Sequence, residues 1–202
     1  MKIICIGRNY ADHAKELNNA VPDEPILFMK AQNALLQPGK AFYYPEISKD
    51  IHYECELVVK ISKGGKHIHE KFAYKYFNEI TLGIDFTARD LQQKQKEKGL
   101  PWEIAKAFDH SAAIGQFIPL GEKDIQALHF ELKKNDTIVQ RGDTSNMLHT
   151  IPQIIAYASR YFSLNVGDLL FTGTPAGVGP ITIGDHLTGI LEGQTLLELD
   201  IK

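Results

Sequence analysis

The sequence predicts a β-rich α+β domain, a mixed set of strands with short flanking helices. Three observations carry this. Short apolar runs bounded by Gly, Pro, Asn or Asp recur from residue 3 to residue 201. Only four short windows, 10–17, 70–77, 88–98 and 151–162, carry helical signals. At 202 residues, 44% hydrophobic and 23% charged, the chain suits one domain over residues 1–202 with a substantial core.

Residues 3–6, Ile-Ile-Cys-Ile, form the first strand. Gly7-Arg8 turns the chain, and Asn9 is placed to cap the helix 10–17, with Asp12 at its N3 position. Residues 18–24 are polar, contain Pro22, and form a loop and candidate hinge. A strand follows at 26–30, with breaks at Pro38-Gly39 and Pro45. The run 51–61 is a strand closed by Lys63-Gly64-Gly65-Lys66, a hairpin signal. His67 and His69 sit among charged neighbours and read as a solvated hairpin arm. After a strand at 80–85, Thr87 and Asp90 resemble a capping pair for the helix 88–98, which stops at Gly99. Residues 128–133, the Asn135-Asp136 turn and 137–140 make a hairpin. Thr150 and Gln153 form a capping box for the helix 151–162, which carries Ile154, Ile155, Ala158 and Phe162 and packs on a sheet. Strand and turn fill the remainder, at 169–171, near Ile181, and at 187–191 and 195–201.

The totals exclude several classes. A net charge of −3 offers no polybasic face to nucleic acid or an anionic membrane. No apolar run approaches the roughly 20 residues that span a bilayer. The N-terminus lacks a signal-peptide pattern, and Cys5 and Cys55 read as buried, reduced thiols, so the expected compartment is cytoplasmic.

The chemistry gathers around two strands. Glu54 and Glu56 lie i and i+2, which puts both side chains on one face of a strand. They are either two solvated glutamates at a strand end or half of a metal site. Asp85, ending another apolar run, supplies a third carboxylate. Three such oxygens suit Mg²⁺ or Mn²⁺ rather than zinc. His13 and Glu16 are i, i+3 neighbours on a helix, either an exposed pair or a base oriented by a carboxylate. Arg89, Gln92, Gln93 and Lys96 share a helical face, with Arg89 and Gln92 near enough to Asp85 to reach a bound anion. Lys106 sits among apolar neighbours and either snorkels or faces an anionic ligand. The Thr172–Pro180 stretch lacks the Gly-Lys-Ser/Thr and the following helix of a phosphate loop. Its backbone amides and threonine hydroxyls suit a carboxylate instead.

Five stretches in order resemble the fumarylacetoacetate hydrolase family, specifically its small acylpyruvate hydrolase and oxaloacetate decarboxylase-like branch. They are Gly7-Arg8-Asn9-Tyr10-Ala11-Asp12-His13, His52-Tyr53-Glu54-Cys55-Glu56-Leu57, Asp85-Phe86-Thr87-Ala88-Arg89-Asp90, Gly99-Leu100-Pro101-Trp102 and Thr172-Gly173-Thr174-Pro175-Ala176-Gly177-Val178-Gly179. The resemblance implies a mixed β-sandwich roll with flanking short helices and a homodimer. It implies Mg²⁺ or Mn²⁺ on Glu54, Glu56 and Asp85, and a His13–Glu16 dyad on a lid. It also implies anion-holding roles for Arg89, Gln92, Lys106 and Thr174, and its motifs add Arg8 and Gly173 to the substrate-binding set. The implied reaction is hydrolysis of a carbon–carbon bond in acylpyruvate-type 2,4-dioxo acids, such as fumarylpyruvate or acetylpyruvate. An enolate of pyruvate leaves, its charge stabilised by the cation, and Gln92 or Lys106 donates to the oxyanion. Oxaloacetate decarboxylation, or isomerisation or tautomerisation of 2-hydroxy-diene-dioates, would use the same site. The rival from another class is a non-catalytic β module that binds a cation or a small acid.

Overall fold

The computed structural model describes residues 1–17 and 20–202. Its centre is an eight-stranded mixed sheet. The path runs β2 (Ile26–Lys30), β1 (Ile3–Gly7), β12 (Leu169–Phe171), β5 (Cys55–Ile61), β6 (Phe77–Asp85), β8 (Ala112–Ile114) and β3 (Leu35–Leu36), with β9 (Ile118–Pro119) on the far part of β6. A four-stranded antiparallel sheet in the order β11 (Thr137–Asp143), β10 (His129–Lys134), β14 (His186–Leu191), β15 (Gln194–Asp200) packs across it. Leu57, Val59, Leu82 and Ile84 from the first sheet join Phe130, Leu132, Leu187 and Leu197 from the second in one core. A small third sheet, β13 (Gly179–Pro180), β4 (Ile51–Tyr53) and β7 (Thr87–Ala88), closes one end. The β-rich sandwich roll is therefore what the chain forms, with helices α1 (Ala11–Glu16), α2 (Arg89–Lys98), α3 (Glu103–Lys106) and α4 (Ile151–Tyr161) at its margins. None of the described helices is long and apolar enough to cross a membrane.

Several local expectations hold for the reasons given. The hairpin between β10 and β11 turns on Asn135 and Asp136, both with positive φ, as a two-residue primed turn requires. Thr150 and Gln153 form a reciprocal capping box on α4. Gly99 ends α2 in the left-handed conformation.

Others are corrected. Asn9 does not cap α1, whose N-cap residue is Tyr10 and has no side-chain cap. Asn9 is fully buried instead: its Nδ2 donates to the carbonyls of Thr172 and His149, and its Oδ1 accepts from the His149 amide. An amide offers donors and an acceptor at once, so it joins two loops better than it caps one helix. Thr87 does not cap α2 either, because Ala88 holds that position. Gly64-Gly65 make no tight hairpin. The connection from β5 to β6 is a long excursion, in which Gly65 bridges to Leu164 and residues Glu70–Tyr76 wind as a 3₁₀ helix. His69 accepts from the Lys71 amide at its start. That excursion is what α4 packs against, with Ser159 accepting from the His67 and Ile68 amides. The apolar face of α4 is buried, and its Ile151, Ile154 and Ile155 join the core that the main sheet lines with Ile4, Ile6, Leu57 and Val59. The hinge expected at 18–24 includes Asn18 and Asn19, which lie outside the described residues.

One turn carries a pH prediction. Asp185 accepts from the Thr182 amide and hydroxyl and from Asn135 Nδ2. Burial opposes its charge, but these donors outweigh burial and lower its pKa from 3.8. A carboxyl whose pKa is lower in the folded state adds stability above its unfolded pKa and loses it as pH falls through the folded value. The wild type should therefore exceed Asp185→Asn in urea midpoint at pH 7, and the gap should shrink below about pH 4. A gap that stays constant down to pH 2 would contradict this.

Candidate active site

The strand expected at 51–61 is two strands, and the break falls on Glu54. β4 pairs with β7 and β13 in the small sheet, whereas β5 pairs with β6 and β12 in the large one. Glu54 crosses between them, its carbonyl accepting from the Asp85 amide at 2.8 Å. The crossover brings the ends of β4, β5 and β6 together. The carboxylates of Glu54, Glu56 and Asp85 offer oxygens within 4.8 Å of one another, and all three residues are buried. Cys55 and Leu57 point the other way, into the core.

Three buried carboxylates at this spacing need compensation. Lys106 Nζ supplies part, at 2.8 Å from Glu54 Oε2 and 2.8 Å from Asp85 Oδ2, with the Thr87 hydroxyl at 2.6 Å. Arg89 lies 2.6 Å from Glu54 Oε1 and also donates to Gln92 Oε1. A third cation was not expected from the sequence. Lys30, at the end of β2, is fully buried and sits 2.7 Å from Asp85 Oδ1. It also donates to the carbonyls of Lys106 and Ser111 and to the Ser111 hydroxyl.

The charges tune one another. Burial alone would raise the Glu54 carboxyl, but Lys106 and Arg89 outweigh it and hold Glu54 well below the usual range. Burial and then the Asp85 charge push the Glu56 carboxyl well up, against the Gly173 amide that donates to it at 2.7 Å. Burial opposes the Lys106 charge, yet Asp85 and Glu54 overcome it and raise that ammonium. Among the described residues Glu54 and Asp85 each pair with two cations, and Glu56 with none. Three hard oxygens this close together could hold a divalent cation.

The cluster opens into a cavity that communicates with solvent. Arg8, His13, Phe28, Arg89, Gln92, Trp102, Lys106 and Thr174 line it with the three carboxylates. His13 is buried, and its Nδ1 meets Glu16 Oε2 at 3.2 Å. Glu16 Oε1 accepts from the Gly177 amide at 3.0 Å. With Glu16 ionised, Nδ1 carries the hydrogen and Nε2 is left as a base.

Most of the expected site residues thus meet around one cavity. Gln93, on the helical face shared with Arg89, is exposed and hydrogen-bonds Glu97. Gly173 and Thr174 play parts that the sequence did not suggest. The 172–177 loop does hold a carboxylate with a backbone amide, but the carboxylate is that of Glu56. The Thr174 hydroxyl has one hydrogen, which it donates to the Cys55 carbonyl at 2.8 Å. Thr87, read as a helix cap, binds Lys106 instead. The one signal that pointed to Lys30 was a lysine closing an apolar strand, the mirror of Asp85 closing β6.

The chain is similar to known proteins along nearly its whole length. The mouse protein named oxaloacetate tautomerase FAHD1, mitochondrial, is 41% identical over 201 residues, covering 99% of this chain and 91% of the relative. Oxaloacetate tautomerase YcgM of Escherichia coli is 41% identical over 197 residues, covering 96% of this chain and 90% of the relative. The crystal structure of fumarylpyruvate hydrolase from Pseudomonas aeruginosa, in complex with Mn²⁺ and pyruvate, superposes with a TM-score of 0.94 at 36% identity. It covers 100% of this chain and 89% of the other. The family described as fumarylacetoacetate (FAA) hydrolase C-terminal matches residues 2–201. A carboxylate triad built where two sheets exchange a strand, carried on a fold shared from end to end with these enzymes, places this chain in the fumarylacetoacetate hydrolase family.

Proposed function

We propose that the chain is a divalent-metal-dependent enzyme that moves a proton at carbon 3 of a small 2-oxo acid, with oxaloacetate keto–enol tautomerisation as its reaction. The observation that carries this is a buried triad beside an oriented imidazole in one cavity. The tautomerase relatives at 41% identity support the same substrate. The residues Glu54, Glu56 and Asp85 would hold Mg²⁺ or Mn²⁺, and when bound such a cation supplies Lewis-acid stabilisation of negative charge on oxygen.

The chain's own groups do the rest. Arg8, Arg89 and Gln92 line the cavity and are placed to hold carboxylate oxygens. Lys106 keeps its positive charge at the cavity wall, where it would favour negative charge developing on a bound substrate. Glu16 orients His13, whose Nε2 takes the proton from carbon 3 and returns it to the oxygen on carbon 2. One proton leaves carbon and one arrives on oxygen, so the tautomerisation balances. The second reading is acylpyruvate hydrolysis, favoured by the fumarylpyruvate hydrolase likeness. There His13 Nε2 draws a proton from water, hydroxide adds to the carbon 4 carbonyl, the bond between carbons 3 and 4 breaks with its electrons going to carbon 3, and carbon 3 takes the proton that His13 holds. We also propose a homodimer, with exposed Tyr43, Ile47 and Ile183 as the apolar surface available for it; light scattering on the purified chain tests that.

The experiment follows oxaloacetate enol decay by ultraviolet absorbance, and hydrolysis of fumarylpyruvate and acetylpyruvate, with Mg²⁺, with Mn²⁺ and after chelation. Metal-dependent acceleration of enol decay is the expected result. Oxalate binding with no turnover of any of these acids would leave only the cation- and acid-binding module. His13→Ala should lower kcat for tautomerisation or hydrolysis by about 10²–10⁴-fold. Oxaloacetate decarboxylation, which removes no proton from carbon 3 or water, should fall less. Equal losses in all reactions would count against the dyad.

A further inference from the structure

The side chain that ties the site together comes from the opposite sheet. Gln140, on β11, is 2% exposed. Its register partner is Leu132, whereas the neighbouring Lys133 faces Ile138, so Val139 is the extra residue of a bulge. A bulge bends the strand and re-aims the side chain beside it. The Gln140 carboxamide engages its oxygen and both of its N–H groups. Its Oε1 accepts from the Cys55 amide at 2.9 Å, and its Nε2 donates to Thr174 Oγ1 and to the Pro175 carbonyl, each at 2.9 Å.

Each of those partners is one or two residues from a group that matters. Cys55 lies between Glu54 and Glu56. Thr174 follows Gly173, whose amide donates to Glu56 Oε2 at 2.7 Å. Pro175 is two residues before Gly177, whose amide donates to Glu16 Oε1 at 3.0 Å. Gly177 has φ +98°, and a Cβ there would fall 2.3 Å from the Val139 carbonyl oxygen. The loop therefore rests directly on the bulge, backbone against backbone.

We propose that Gln140 is a positioning residue that seats the 172–177 loop, so that one loop sets Glu56 in the metal site and Glu16 in the dyad together. The inference deepens the proposed reaction and rests on that reading for its kinetic half alone. A carboxamide is the side chain that can accept from the broken strand and donate twice to the loop. Methionine fills the same space and does neither.

The test compares Gln140→Met and Gln140→Asn with wild type. Mn²⁺ affinity is read without substrate, from the free-ion electron paramagnetic resonance signal, and kcat is read at saturating Mn²⁺. Circular dichroism and thermal midpoints establish that the variants are folded. The expected result for Gln140→Met is a roughly 10–100-fold weaker Mn²⁺ affinity, the usual loss when an outer partner of a ligand is removed. Its kcat at saturating Mn²⁺ should also fall about tenfold or more, because Glu16 is no longer held. Gln140→Asn, with the same amide on a shorter arm, should lie between. Mn²⁺ affinity within twofold of wild type in a folded variant would overturn the positioning role. Full recovery of kcat at saturating Mn²⁺ would overturn the link to the dyad. If Gln140→Met does not fold, Gln140→Asn decides by the same two readouts. Absence of turnover in the wild type would defeat the reaction reading and leave the Mn²⁺ arm to decide on Gln140.

Discussion

Glu56→Gln is expected to abolish metal-dependent turnover while leaving stability almost unchanged. Glu56 accepts one hydrogen bond, from the Gly173 amide, and among the described residues pairs with no cation. Burial and Asp85 already favour its neutral form in the metal-free protein. A glutamine of the same shape keeps an oxygen for Gly173 and matches the neutral form that burial already favours. The unfolding free energy from urea titration should change by less than about 1 kcal/mol, within what one hydrogen bond contributes. Mn²⁺ affinity should fall further than the roughly 10–100-fold typical of outer partners, because a ligand itself is lost. Glu54→Gln makes the contrast. It strips one partner from both Arg89 and Lys106, so stability should drop along with activity. Retained Mn²⁺ binding in Glu56→Gln would refute the triad as the metal site.

Lys30→Met is expected to be the most destabilising single change at the site. Lys30 and Asp85 are both buried, with side chains 0% and 1% exposed, and their charges are 2.7 Å apart. Removing one member of a buried pair strands the other, at about 3–5 kcal/mol. Lys106 still faces the second oxygen of Asp85, which argues for the lower end of that range. The carbonyls of Lys106 and Ser111 also lose a donor, which loosens the chain between α3 and β8. Urea unfolding of the metal-free protein measures the loss. The double variant Lys30→Met/Asp85→Asn, which removes both charges, should recover much of it. A single variant as stable as wild type would mean that the pair contributes nothing to the fold.

Much of this site could be read in the chain before folding. Glu54, Glu56 and Asp85 announce themselves because acidic residues interrupt apolar strand patterns where nothing structural calls for them. Helical spacing makes His13 and Glu16 neighbours, and it is the resemblance that implies a dyad. Lys30 does not stand out, since a lysine at the end of a strand is ordinary until Asp85 is placed beside it. Gln140 is quieter still. It lies in a polar hairpin arm, and only the bulge at Val139 turns it inward. Asn9 and Thr87 were misread as helix caps because a short polar side chain beside a helix has the same local signature whether it bonds the helix or a distant loop.

Local order along the chain sets out the chemical groups: three hard oxygens, an orientable imidazole and a row of cations, in strands whose period and turns are local properties of the backbone. Folding selects which cation neutralises which carboxylate and where the strand at Glu54 must break. It also selects which sheet lends the amide that seats the loop. Those choices are made by burial. A charge or amide removed from water must find its partner in space, and that partner lies far away along the chain.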